Sequence, residues 1–226
     1  MNVWHDIDPA EITPTDFTAV IEIPKGSSCK YELDKKNGMR RLDRVLYTAT
    51  HYPANYGFIP RTYADDGDPL DVLVLCAEPI YPMTLVQVYP IGCMRMYDGG
   101  KLDDKIIAVP FSDPSYHGIK SIDELPAHIF DEIMHFFKVY KQLENKQTDV
   151  KSLFGRAKAE EIIQRLKQYG MTRFLLLFRS AKTRSEIVAT FLAILELMKV
   201  GKIVIKQEAA FGDIIITSAK YYKKES

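Results

Sequence analysis

The chain has 226 residues, with 30 Lys plus Arg balanced by 30 Asp plus Glu; 46% of residues are hydrophobic and 27% charged. That profile excludes a disordered or fibrous chain. Its longest uncharged apolar run, residues 187–195, falls well short of the roughly 20 residues a membrane helix needs. The first nine residues lack a basic stretch followed by an apolar core, so they do not read as a signal peptide. Cys29, Cys76 and Cys93 are scattered without metal-type spacing, which points to free thiols and a cytoplasmic address. The zero net charge hides an asymmetry: residues 171–226 carry +5 and residues 1–170 carry −5, and all 12 prolines lie between Pro9 and Pro126. Two units joined near Tyr169-Gly170 are expected.

Residues 18–23 read as a strand, with Val20 and Glu22 on one face and Ile21 and Ile23 on the other. Residues 30–34 alternate, with Lys30, Glu32 and Asp34 opposite Tyr31 and Leu33. Residues 70–76 form a nearly continuous apolar run, read as a central strand; 85–92 and 106–109 are further strands. Short strands with Pro and Gly punctuation suggest a small barrel. A helix is expected from Asp123 through about Leu143, with Pro126 in its first turn and Ile129, Ile133, Phe136, Phe137 and Tyr140 as its apolar stripe. A second helix covers about 156–168. Thr183-Arg-Ser-Glu186 is a capping box opening a helix that runs to Lys199 and stops at Gly201. Residues 203–208 and 213–217 then read as a hairpin.

The densest charge feature is Asp65-Asp66-Gly67-Asp68-Pro69-Leu70-Asp71. Like charges this close raise each other's pKa unless a cation joins them or water surrounds them. For an Asp-Gly-Asp turn in general, free solvation is the plainer reading. Gly67 and Pro69 make a tight turn that lets the carboxylates converge, and hard oxygen donors suit Mg²⁺ or Mn²⁺. A calcium hand does not fit, because no start supplies both Gly at six and Glu at twelve. Asp98, Asp103 and Asp104 form a second acidic group, and the Gly99-Gly100-Lys101 beside them lacks the flanking spacing of a phosphate loop. Lys30, Arg44, Lys105, Lys141, Tyr52, Tyr56 and Tyr140 each have an ordinary structural explanation. Taken with the carboxylates, they describe a site for a highly charged phosphate substrate.

Asp66-Gly-Asp-Pro-Leu-Asp71 resembles the Asp-x-Asp-Pro-x-Asp signature of the soluble family I inorganic pyrophosphatases. Val20-Ile-Glu-Ile-Pro24, Lys30-Tyr-Glu-Leu-Asp34, Asp43-Arg44, Tyr52-Pro-Ala-Asn-Tyr-Gly57, the run from Asp98 to Lys105, and His135-Phe-Phe-Lys-Val-Tyr-Lys141 are similar to that family as well, in its order. The resemblance covers roughly residues 1–169. It implies an α+β fold, an OB-like five-stranded barrel with flanking helices. It implies hydrolysis of pyrophosphate to two phosphates with several Mg²⁺ ions, Mn²⁺ being an alternative. By similarity, Asp66, Asp71 and Asp103 hold the first metal, Asp71 bridges to a second, and Asp98 and Asp103 hold one that arrives with substrate. Glu22 and Glu32 act through metal-bound waters. Asp68 is the general base, supported by Tyr52, while Lys30, Arg44, Lys105, Tyr56, Tyr140 and Lys141 grip the phosphates. Arg44, Lys30 and Tyr56 also count among the catalytic groups. Bacterial members imply a homo-oligomer, a hexamer.

Residues 181–198, with Gln207-Glu208 and Phe211-Gly-Asp-Ile214, resemble the C-terminal winged-helix region of bacterial kleisins, the segregation and condensation protein A family. This implies a small winged-helix-like segment over 170–226, behind a pyrophosphatase domain over 1–169, and an SMC-type ATPase as a partner. The preferred reading of this segment is a fused addition whose apolar helix packs on the barrel or on another subunit. Nucleic-acid binding is disfavoured, because the basic residues are spread out and the first 170 residues are acidic.

Overall fold

A computed structural model describes residues 3–4, 7–34, 38–64, 68–166, 172–173, 183–207 and 214–219. Contacts divide the chain into two units, Met1–Lys167 and Gln168–Ser226. Among the described residues, no helix is long and apolar enough to cross a membrane.

The first unit is built on β1 (Phe17–Ile23), β4 (Asn55–Phe58), β5 (Asp71–Val74), β6 (Leu85–Asp98) and β8 (Lys105–Pro110). β1 pairs antiparallel with β4, β4 with β5, and β6 with both β8 and β1; β5 and β8 run parallel. The pairing path therefore returns to its starting strand. β6 can serve several partners because it is long and irregular. Its register slips near Pro90, which has no N–H to give to a ladder. Beyond that slip its far half also pairs with β9 (Thr148–Gly155) and, at its tip, with β7 (Lys101–Leu102). β2 (Cys29–Leu33) and β3 (Arg40–Val45) form a separate two-stranded hairpin.

Two helices cover opposite sides of the sheet. α2 (Arg156–Leu166) buries Ala159, Ile162, Ile163 and Leu166 against Val72, Val74, Ile106 and Ala108. α1 (Ala127–Val139) buries Phe130, Ile133, Phe136 and Phe137 on the side holding Leu73, Ile107 and Val109. Beyond their charged first residues, Asp71 and Lys105, β5 and β8 are thus apolar because both faces are covered, the condition that makes a strand read as a continuous hydrophobic run. Gly57 sits where β4 crosses β1. A Cβ there would stand 1.9 Å from the Val20 carbonyl oxygen, so no side chain fits without parting the strands.

The structure departs from the sequence expectations at identifiable points. The helix expected from Asp123 begins only at Ala127. Leu125 precedes a proline and is extended (φ −106°, ψ 153°), so residues 122–124 form a single 3₁₀ turn capped by Ser121. The helix also ends at Val139; a second 3₁₀ turn, Gln142–Glu144, follows and closes on left-handed Asn145. β6 runs six residues past the expected end at 92. The expected face partition of β1 fails at its end, because the register slips between Ile21 and Ile23 and sends these two residues into different clusters.

In the second unit, α3 (Arg184–Lys199) opens on the expected capping box: Thr183 Oγ1 accepts from the Glu186 amide at 3.2 Å, and Glu186 accepts from the Thr183 amide at 3.3 Å. β11 (Ile203–Gln207) and β12 (Ile214–Ser218) pair antiparallel as the expected hairpin, and β10 (Thr172–Arg173) adds a strand beside β12. The expected connection over 208–213 lies outside the described residues. Among this unit's described residues α3 is the one helix, and it exposes Val188, Leu192 and Leu195 while burying Ile194.

Candidate active site

The strand registers bring distant charges together. Parallel pairing sets Asp71, at the start of β5, opposite Lys105, at the start of β8. In the hairpin, Lys30 lies opposite Arg44. Ile23 on β1 faces Tyr56 on β4, and Glu22 falls in the slip just before it, a place where a bulge re-aims a side chain. The result is a cavity of about 320 Å³. Its walls hold the acids Glu22, Glu32, Asp68, Asp71, Asp98 and Asp103, together with Lys30, Lys105, Lys141, Tyr52, Tyr56 and Tyr140. Asp66 lies outside the described residues. Arg44 does not line the cavity; it joins the wall through Asp43, which contacts both Arg44 and, at 3.3 Å, Lys30.

Lys105 is the pivot. Its side chain is 2% exposed, and Nζ lies 2.7 Å from Asp71 Oδ2 and 2.9 Å from Asp103 Oδ1. The Tyr56 hydroxyl donates to the same Asp71 oxygen. The Tyr56 and Phe137 rings stand 5.4 and 5.2 Å from the ammonium. Burial opposes the charge on Lys105, but Asp103 and Asp71 outweigh it and hold the ammonium well above the ordinary lysine value. Lys141 makes a matching ion pair with Asp98, and Lys30 pairs with Glu32. Tyr140 stacks on Phe136 and Tyr52 meets the same ring at a tilt, and burial raises the pKa of both phenols.

The acids are held under strain of charge. Burial, then Asp71 and Glu32, push Glu22 up to about 8, against the Leu33 amide it accepts from at 2.9 Å and the Lys30 charge. Burial and Asp103 push Asp71 up to about 6, with Lys105 opposing. Among the described residues, no three His, Cys, Asp or Glu side chains are gathered closely enough to hold a metal as they stand. The donor set nevertheless fits hard divalent cations. Two carboxylates already converge on one cation, the Lys105 ammonium, and Glu22 and Asp71 carry unrelieved repulsion that added positive charge would relieve.

Sequence reasoning marked Asp43 without its role, the bridging of Lys30 and Arg44, and missed Glu144, which accepts from Arg44. It also missed the Arg95–Asp104 fork, two hydrogen bonds of 2.8 Å that anchor the chain beside Asp103. A block pattern already marked Asp43; nothing local marks the partner of a residue 100 positions away.

The family model for inorganic pyrophosphatase matches residues 19–170. The chain belongs to that family. It is 48% identical over 161 residues to soluble inorganic pyrophosphatase 2 of Chlamydomonas reinhardtii, covering 71% of this chain and 84% of that protein. Soluble inorganic pyrophosphatase 5 of Arabidopsis thaliana is 49% identical, with 71% and 74% covered. Among solved structures, the Thermus thermophilus inorganic pyrophosphatase aligns with a TM-score of 0.69 at 39% identity, covering 73% of this chain and 95% of that one. The Helicobacter pylori enzyme aligns with a TM-score of 0.66 at 42% identity, covering 69% and 95%. A second family model, a conserved region of Rad21/Rec8-like proteins, matches residues 170–220.

Proposed function

We infer that this pyrophosphatase-family chain hydrolyses inorganic pyrophosphate to two phosphates, that residues 1–169 form the catalytic domain, and that the ring β1-β4-β5-β8-β6 is an OB-like barrel. The observation that carries the reading is the convergence of Asp71 and Asp103 on buried Lys105, in a cavity that also holds Asp68, Asp98, Lys30 and Lys141.

Asp66, Asp71, Asp98 and Asp103 are the residues that would hold the metal ions, and Glu22 and Glu32 would accept from water beside them. Bound Mg²⁺ or Mn²⁺ supplies neutralisation of the substrate's charge and acidification of water. Asp68 takes a proton from the attacking water as its oxygen bonds to one phosphorus and the bridging P–O bond breaks; Tyr52 helps to fix that base. Lys30, Arg44, Lys105, Tyr56, Tyr140 and Lys141 bind the phosphoryl oxygens and stabilise the charge moved onto the leaving phosphate. All of these but Arg44 line the cavity, where cations and phenols stand among acids. A cytoplasmic, homo-oligomeric, hexameric enzyme accords with the family resemblance. The test is phosphate release from pyrophosphate. Full chain with Mg²⁺ should turn over, and EDTA should abolish release, with Mg²⁺ restoring it. Release that is indifferent to EDTA, or absent from folded protein with Mg²⁺, refutes the reading.

A second reading concerns residues 170–226 alone and is favoured by the match at 170–220. It makes them a kleisin-like winged-helix segment docking on an SMC-type ATPase, with the exposed apolar residues of α3 as contact. The full chain should then co-elute with a purified SMC-type ATPase head, and a chain ending at Tyr169 should not. If neither co-elutes, the segment is a fused addition.

A further inference from the structure

We propose that Glu144 is a positioning residue for pyrophosphate hydrolysis, holding the Arg44 guanidinium in place behind the cavity wall beside Asp43 and Lys30; this rests on the assignment of Arg44 as a phosphate ligand.

Arg44 projects from β3, a hairpin strand outside the main sheet, and needs an external support. Nε donates to Glu144 Oε1 at 2.7 Å, and Nη1 donates to Asp43. Nη2 is buried and, among the described residues, has no hydrogen-bond partner. A buried guanidinium donor left unmade costs free energy, so a structure that keeps one there is prepared for an acceptor. The rigid planar fork makes the consequence geometric: once Nε and Nη1 are held, the direction of Nη2 is set.

Glu144 is suited to this. Its side chain is 7% exposed and that of Arg44 17%, so the pair is largely removed from water and its geometry is not averaged by solvent exchange. The carboxylate is carried by the 3₁₀ turn Gln142–Glu144, whose preceding residue is Lys141 and whose end is left-handed Asn145. The Glu144 amide donates to the Lys141 carbonyl at 2.9 Å, and the Lys146 amide closes on the same oxygen at 3.4 Å. One turn therefore fixes a direct phosphate group, Lys141, and the support of a second, Arg44. The distance between two cations that must meet the same substrate is set there. Lys146 Nζ, 3.6 Å away, lends Glu144 a further charge partner from the solvent side.

The experiment compares kcat/KM for Mg²⁺-pyrophosphate in Glu144→Ala, Glu144→Asp, Arg44→Ala and the Arg44→Ala/Glu144→Ala double variant, with a Mg²⁺ titration and thermal unfolding of each. Small misplacement of a substrate-gripping group costs on the order of 10–100-fold. Glu144→Ala should fall by that factor, and Glu144→Asp, which keeps the charge but withdraws it from Nε, should fall several-fold with its unfolding midpoint unchanged. On the Arg44→Ala background, removing Glu144 should change nothing further, and Mg²⁺ affinity should hold throughout. Equal losses on both backgrounds would mean a structural role and overturn the proposal. So would a fully active Glu144→Asp or Glu144→Ala beside an impaired Arg44→Ala. A fully active Arg44→Ala would instead remove the assignment of Arg44, and the proposal with it.

Discussion

Asp68→Asn should abolish turnover, lowering kcat by at least about a thousandfold, while Mg²⁺ still binds with near-native affinity. Asp68 lines the cavity and is followed by Pro69, whose ring limits the backbone on both sides of the bond between them. β5 begins at Asp71, three residues on, so a potential base and a potential ligand share one short connection. The asparagine is nearly isosteric and keeps an oxygen donor, but its amide cannot take a proton from water. A general base accounts for about 10²–10⁴ in rate. The substrate's anionic charge makes an unassisted water attack slower still. Isothermal titration with Mg²⁺ alongside phosphate release separates the possibilities. Loss of metal affinity in step with loss of rate would make Asp68 a ligand rather than a base, and a variant within tenfold of the parent would remove it from the chemistry.

What could be read from the chain depended on whether structure was written locally. β5 and β8 were legible because helices cover both of their faces, leaving uninterrupted apolar runs. β3 was not, since five of its six residues are exposed, including Leu42 and Val45, and among the described residues it pairs only with β2. β9 was hidden by a register slip opposite Arg95 and Met96, which breaks the alternation a strand would otherwise show. The end of α1 was misplaced because Tyr140 and Lys141 continue the apolar and basic pattern, while Lys141 (φ −102°, ψ 2°) has left the helix and leads into the 3₁₀ turn Gln142–Glu144. The cavity residues divide the same way. Asp71, Asp98, Asp103 and Lys105 carry enough charge to be noticed singly. The convergence of Asp71 with Asp103 and Lys105 comes from the parallel β5–β8 register, which joins segments 34 positions apart. Glu144 acquires its role from a contact across 100 positions, and a lone glutamate in a surface-like Lys-Gln-Leu-Glu run carries no mark of it.

That convergence sets up the second large effect. Lys105→Met should cost the metal-free protein about 3–5 kcal/mol of stability, the usual penalty for removing one partner of a buried charge cluster. Methionine fills much the same volume beside Tyr56 and Phe137, so the loss is of charge rather than of packing. Asp71 and Asp103 then face each other without compensation. The pH dependence has a definite sign. Asp71 already stands at about 6 against an ordinary 3.8. A carboxyl whose pKa is higher folded than unfolded binds more protons in the folded state across that window. Its cost to folding therefore grows as pH rises from about 3.8 to 6 and is full above it. Without Lys105 the folded value climbs further, so the deficit of the variant should be small at pH 5 and large at pH 8. Mg²⁺ should shrink the deficit at pH 8, because a divalent ion drawn to the same two carboxylates stabilises only the folded form. Activity in saturating Mg²⁺ should still fall by about 10²–10³, as it does when one donor to a developing anion is lost. Denaturant unfolding at both pH values, with and without Mg²⁺, checks each part. A deficit independent of pH and of Mg²⁺ would mean that Asp71 and Asp103 do not share a cation, and the metal assignment would fall with it.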